Sequence, residues 1–211
     1  NNLYIVVAAV SQAALLRLDD QFSKWKKEKR KVTAIYGVDI AATSIEGLQY
    51  SIDTFTETYI ARIPGVRFHP KMYVFKGPDA GLVFYGSNNF TVPGTELNLE
   101  ACVRIEYVFP ADDALFKEQM RGIDELLAEQ KSDTVFKLTA LILKVLAAEG
   151  LAVPERRLSR AGESTAAPAK IASKLPKSSL KTMPPSPMPR KKLAPAIRPK
   201  GEKSALRAVS P

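Results

Sequence analysis

The chain has 211 residues, 45% hydrophobic and 25% charged, enough for one domain with its own core plus an appendage and too few for a second full domain. Its 31 Lys and Arg against 22 Asp and Glu give a net charge of +9, but residues 151–211 carry 14 bases and three acids while residues 1–150 carry 17 and 19, so the domain itself is not basic. The single cysteine, Cys102, excludes an internal disulfide and a Cys/His metal cluster, and the apolar run 3–10 is far short of the roughly 20 residues of a membrane span.

These features predict a protein of a reducing cytoplasm with no membrane span, no metal and no cofactor. Residues 3–10 are rich in Val and end at Ser11, a good helix N-cap. They predict a strand feeding a helix that carries Leu15, Leu18, Phe22 and Trp25 at helical spacing. The basic run 24–31 supplies that helix's solvated end and complements its dipole. Residues 32–36 predict a second strand, and Thr43 with Glu46 forms a capping-box pattern opening a helix through about Phe55. Strands follow at 58–63, 66–75 across His69, 82–85 and 100–109, punctuated by Pro64-Gly65 and Lys76-Gly77-Pro78-Asp79. Asp112 and Asp113 open a helix with Phe116, Met120, Ile123 and Leu127 on one face. A further helix is expected from Ser132 to near Gly150, with Phe136, Leu141, Val145 and Leu146 apolar. The expected architecture is α/β, a mixed β-sheet flanked by helices over residues 1–150. Residues 151–211 hold ten of the 15 prolines and no aromatic residue, and are expected to form a disordered basic tail. The chain opens on Asn1-Asn2 instead of Met, which leaves a strand upstream open.

The only histidine lies in Phe68-His69-Pro70-Lys71-Met72-Tyr73-Val74-Phe75. Side chains alternate along an extended segment, so His69 and Lys71 share a face and an imidazole sits beside an ammonium. Gly86-Ser87-Asn88-Asn89-Phe90-Thr91 follows at the exit of strand 82–85, where backbone N–H, hydroxyl and carboxamide donors can receive an oxyanion. Glu100, within Asn98-Leu99-Glu100-Ala101, is a carboxylate able to hold the imidazole in one tautomer and stabilise its cation. Tyr73, Phe75 and Cys102 are expected to pack, and Lys76 to face solvent in a turn. The tail's Arg190-Lys191-Lys192 suits non-specific, salt-sensitive attraction to nucleic acid.

His-x-Lys, Gly-Ser-x-Asn and Asn-x-Glu in this order resemble the phospholipase D superfamily, over roughly residues 3–109 with the motif running from His69 to Glu100. The resemblance implies a phospholipase D-like fold and a phosphodiesterase in which His69 is the nucleophile. It further implies that Lys71 and Asn89 hold the non-bridging phosphate oxygens, that Ser87 adds a contact, and that Glu100 orients His69. The superfamily motif also has an Asp five residues after the Lys, where this chain has Lys76. Metal-independent nucleases of the superfamily, including some restriction endonucleases, are similar in lacking it.

The chemistry has its own logic. A phosphodiester is anionic, so without metal ligands its pentacoordinate transition state has to be neutralised by fixed cations and donors, parts that Lys71 and Asn89 fit. Attack by imidazole gives a covalent phosphohistidine and an alkoxide in need of a proton. In the superfamily a second His supplies it; this chain has one, so a homodimer joining two His69 side chains in one composite site is expected. The expected function is metal-independent hydrolysis of DNA at that interface. The alternatives are a phospholipase or phosphatidyl transferase using the same residues on a lipid, and a catalytically silent nucleic-acid-binding module.

Overall fold

β1 (Asn2–Val7) sends Leu3, Ile5 and Val7 to one face of a sheet and Val6 to the other, and all four are buried. The computed structural model that places it describes residues 1–129 and 134–158. Ser11 caps as expected, its Oγ accepting from the Ala14 N–H at 3.3 Å, but the one expected helix is two. α1 (Gln12–Leu16) ends within two turns and α2 (Asp19–Lys27) starts afresh after Leu18. Lys24, Lys26 and Lys27 crowd the last turn of α2, at the negative end of its dipole.

β2 (Lys31–Gly37) pairs parallel with β1, and β3 (Glu57–Ala61) parallel with β2. Between them runs α3 (Ile45–Thr54), whose N-cap is Ser44 and not the expected Thr43. Ser44 Oγ accepts from the Gly47 N–H at 2.9 Å, while Thr43 Oγ1 donates to the Gly37 carbonyl at 2.8 Å. Glu46 turns away from the cap to accept the Glu155 N–H at 2.8 Å.

β4 (Lys71–Lys76), β5 (Ala80–Gly86) and β6 (Cys102–Val108) form an antiparallel meander that joins the sheet through β1. Two of these strands begin later than expected, which leaves His69 and Glu100 in the connections just outside β4 and β6. β6 is an edge strand, and Cys102 is exposed on it instead of packed. The helix expected from Ser132 begins only at Ala140. Residues around Phe136 form instead β7 (Val135–Lys137), which pairs antiparallel with β3 and covers that edge of the sheet. α5 (Ala140–Ala148) follows, with Thr139 Oγ1 accepting from the Ile142 N–H at 3.3 Å. It buries Leu143 and Leu146 and leaves Leu141 and Val145 to solvent.

The sheet among the described residues thus has seven strands in the order β6-β5-β4-β1-β2-β3-β7. α4 (Asp113–Ala128) lays Phe116, Met120 and Ile123 on one face, against Val6, Ile35, Val74 and Val83. α1, α2, α3 and α5 cover the other face through Leu15, Phe22, Leu48 and Leu143. This is the expected mixed sheet flanked by helices, its central strands buried on both faces. Past Gly150 the chain stays attached: Ala152 and Val153 are buried, and the Glu155 carboxylate accepts from Gln12 N–H (2.9 Å) and Ala13 N–H (3.1 Å) at the start of α1. The expected tail lies, from residue 159, outside the described residues. Among the described residues no helix is long and apolar enough to cross a membrane.

Candidate active site

Strand register gathers the motif at one end of the sheet. In the β4–β5 pair Met72 faces Tyr85, so one step outward brings Lys71 to Gly86; in β5–β6, Gly86 faces Cys102. Val7, the last residue of β1, faces Lys71. The entries to β4 and β6 and the exit of β5 therefore meet where β1 and β2 end, the carboxyl edge at which α/β sheets place their ligands. Backbone bonds fix the segments: Ala8 N–H donates to the Pro70 carbonyl (2.9 Å), Phe90 N–H to the Ala9 carbonyl (3.2 Å), and Ser11 N–H to the Phe90 carbonyl (2.9 Å).

His69 is exposed while Lys71, two residues on, is only 9% exposed. The Lys71 ammonium lies 2.7 Å from Nδ1 and 2.9 Å from Nε2 of the His69 ring, and donates to the His69 carbonyl at 3.0 Å. Desolvation, then the Lys71 and Arg67 cations, hold the imidazole below its usual pKa. Lys71 itself is lowered by burial, an effect the Glu100 charge opposes. The pair is thus a neutral, solvent-facing imidazole against a partly buried cation, the state a nitrogen nucleophile requires.

Within one chain the hydrogen-bond partners of Glu100 are Ser87 and Asn98: its carboxylate accepts from Ser87 Oγ and, at 3.1 Å, from Asn98 Nδ2. Ser87 Oγ in turn accepts from the Ala101 N–H at 3.0 Å, so Ser87 and Glu100 lock the exit of β5 to the entry of β6. The ring partner of His69 is Lys71, and Glu100 reaches that pair through its field on the ammonium.

Asn88 and Asn89 form the turn between these groups. Asn88 Nδ2 donates to the Gly94 carbonyl at 3.0 Å, and its own carbonyl accepts from the Tyr73 hydroxyl at 3.0 Å. The side-chain oxygens of both asparagines are buried without a hydrogen-bond partner, a costly state unless a ligand or water completes it. Gly86 and Gly94 allow the turn to close. A Cβ on Gly86 would stand 2.5 Å from the Ala101 carbonyl oxygen, and one on Gly94 2.5 Å from that of Asn89. The structure therefore brings His69, Lys71, Ser87, Asn89 and Glu100 to one sheet edge, and adds Tyr73, Asn88, Gly94 and Asn98 as supports. Tyr73 also packs as expected, edge-on to Phe90 with ring centroids 5.9 Å apart. Its hydroxyl contact was not legible, because it depends on the β4–β5 pairing.

Lys76, which stands where the motif has Asp, is the last residue of β4. Five residues of strand at about 3.3 Å each put it roughly 17 Å from Lys71 along the sheet. There its ammonium sits 5.6 Å over the Phe116 ring, on the α4 side, and the motif's missing acid falls outside the site. Among the described residues no three His, Cys, Asp or Glu side chains are grouped to hold a metal ion.

No family model matches the chain, and no curated protein does. Among solved structures it is similar to NucT from Helicobacter pylori, at 15% identity over 56% of this chain and 74% of that chain, with a TM-score of 0.39.

Proposed function

We propose that the chain is a phosphodiesterase of the phospholipase D type that hydrolyses nucleic acid, most readily DNA, without a metal ion. The observation that carries this reading is the Lys71 ammonium, nearly closed off from solvent, against the exposed His69 ring at the sheet end where the asparagine turn also lies. A phosphate oxygen takes the ring's place as acceptor for Lys71 Nζ, and the Asn89 carboxamide, turned to present its NH2, holds a second oxygen. A ring nitrogen of His69 attacks phosphorus with its lone pair; the P–N bond forms as the bond to the leaving oxygen breaks. That oxygen takes a proton from a second copy's His69, whose protonated form the bound phosphate's negative charge favours once the substrate lies between the two rings, because this chain has no other histidine. Water then attacks the phosphohistidine, its proton returns to the second imidazole, and the P–N bond breaks to restore the enzyme.

The pairing of two copies finds support at the rim of the site. Leu97 (70% exposed) and Leu99 (90% exposed) alternate with Asn98 and Glu100, and Val103 lies exposed on the adjoining edge strand. Such a solvent-facing apolar group beside an incomplete site is what a two-fold contact would cover. The deciding experiment compares wild type and His69→Ala for plasmid nicking, phosphatidylcholine hydrolysis and DNA binding in excess chelator. The reading expects nicking by the wild type alone, with binding retained in the variant. Hydrolysis of lipid but not plasmid would transfer the site to a lipid enzyme, and a wild type that binds and never cuts would make it a silent binding module.

A further inference from the structure

The connection between β3 and β4 is pinned at both ends and projects between them. Arg62 N–H donates to the Thr134 carbonyl at 2.8 Å. Phe68 is buried and its N–H donates to Asp39 Oδ2 at 2.9 Å. Between these anchors the chain makes one tight reversal, with Val66 N–H on the Ile63 carbonyl at 3.0 Å and Gly65 at φ 75°, the positive angle that a type II turn demands after Pro64. A side chain on Gly65 would meet nothing within 4 Å, so the tip stands in solvent.

Two arginines flank this tip. Arg62 and Arg67 are both exposed and line one groove, whose far wall is α5. Arg17, Arg30, Arg104 and Arg121 each lie against a carboxylate, whereas none of the ion pairs among the described residues includes Arg62, Arg67, Arg156 or Arg157, and of these four only Arg62 and Arg67 line this groove. Asp39 and Glu149 also line the groove, but Asp39 is engaged by the Phe68 amide. Arg67 is two residues from His69, which keeps their Cα atoms within about 7 Å, and it is close enough to act on the imidazole's charge. Successive phosphates of a nucleic-acid strand rise by roughly 3.4 Å. A strand with one phosphate at His69 that runs toward this turn would bring its next phosphates alongside it, whereas an isolated phosphodiester has none to offer.

We propose that the 62–67 turn is a backbone clamp in which Arg67 and then Arg62 hold the phosphates flanking the scissile one, so that the site selects a polymeric phosphodiester over a single one. This rests on the phosphodiesterase reading above. Because Arg67 also acts on His69, the informative quantity is a ratio: kcat/KM on an oligonucleotide divided by kcat/KM on bis(p-nitrophenyl) phosphate, since both substrates use the same imidazole. In the full-length chain, Arg67→Gln and Arg62→Gln should each lower that ratio about tenfold, as for loss of one charge-assisted contact. Each should also reduce the slope of log affinity against log salt for the oligonucleotide by about 0.7–0.9. A ratio within about twofold of wild type in the double variant, or an unchanged salt slope, overturns the clamp. If the wild type cleaves neither substrate, it is the phosphodiesterase reading that fails, and the salt slope alone decides whether the turn holds phosphates.

Discussion

Replacing Lys71 by Met removes a charge while keeping most of its stem, and three separate readouts follow. The first is the rate. A unit charge about 4 Å from a phosphate oxygen at an effective dielectric of about 20 contributes roughly 4 kcal/mol. Losing one fixed donor at a developing oxyanion costs about 2.7–4 kcal/mol in known cases, so kcat should fall by about 10²–10³. The second is pH. After desolvation, the Lys71 cation is the leading cause of the lowered His69 pKa, so its removal raises that pKa. The neutral ring is the nucleophile, and the acid limb of the rate profile therefore moves to higher pH in Lys71→Met. The third is stability. Burial lowers the Lys71 pKa from the ordinary 10.5, so between the two values the unfolded chain binds more protons than the folded one. The resulting penalty is fully present below the folded value and disappears as pH rises to the ordinary one. Near neutrality the substitution relieves it, and Tm should hold or rise. Single-turnover cleavage from pH 5 to 9, with thermal unfolding on the same preparation, reads all three. A rate within threefold of wild type, or an acid limb that moves down, would rule out Lys71 as the cation that holds the phosphate beside His69.

Leu97→Asp with Leu99→Asp should convert a dimer to a monomer in sedimentation and abolish cleavage together, because burying two carboxylates at the contact is prohibitive; an active monomer contradicts the composite site. Wild-type activity should persist below the ordinary imidazole value of 6.5 on the acid side, since the His69 pKa is lowered; a limb above 6.5 in a pH–rate series contradicts this. Truncation after Leu158 removes twelve Lys and Arg and should weaken DNA affinity and flatten its salt dependence. The cut belongs there and not at Gly150, because Val153 and Glu155 are tied to the α3 and α1 starts; unchanged binding in a titration would show that the tail plays no part in capture.

Periodicity sufficed for the order of elements from β1 to β3, where Ser11 and Ser44 cap α1 and α3, but it carried no sign of the break at Leu18, where α2 starts without a side-chain cap. It faltered where structure depends on pairing across the chain. β7 is a strand only because β3 offers an open edge, and three residues carry no period of their own. Reading 66–75 as one strand missed that the Pro64-Gly65 reversal extends through Val66 and that Pro70, lacking an N–H, cannot donate to a ladder. Leu141 and Val145 looked like core in sequence, yet α5 turns its Leu143–Leu146 stripe inward. The cluster of His69, Lys71, Ser87, Asn89 and Glu100 was legible from residue type and order, but its hydrogen bonds were not. Whether Glu100 meets His69 or Ser87 is decided by the β5–β6 register, which no local spacing encodes.

The proposed reaction requires phosphorus to be carried for a time on His69. The direct measurement is a single turnover on end-labelled DNA in excess chelator, quenched in alkali, where a P–N bond to histidine survives, and digested for mass spectrometry. A phosphohistidine on this residue yields one labelled peptide, containing His69, that is lost on acid treatment and absent from His69→Ala. Cleavage that proceeds with no adduct on His69, or that stops when divalent ions are removed, would contradict it.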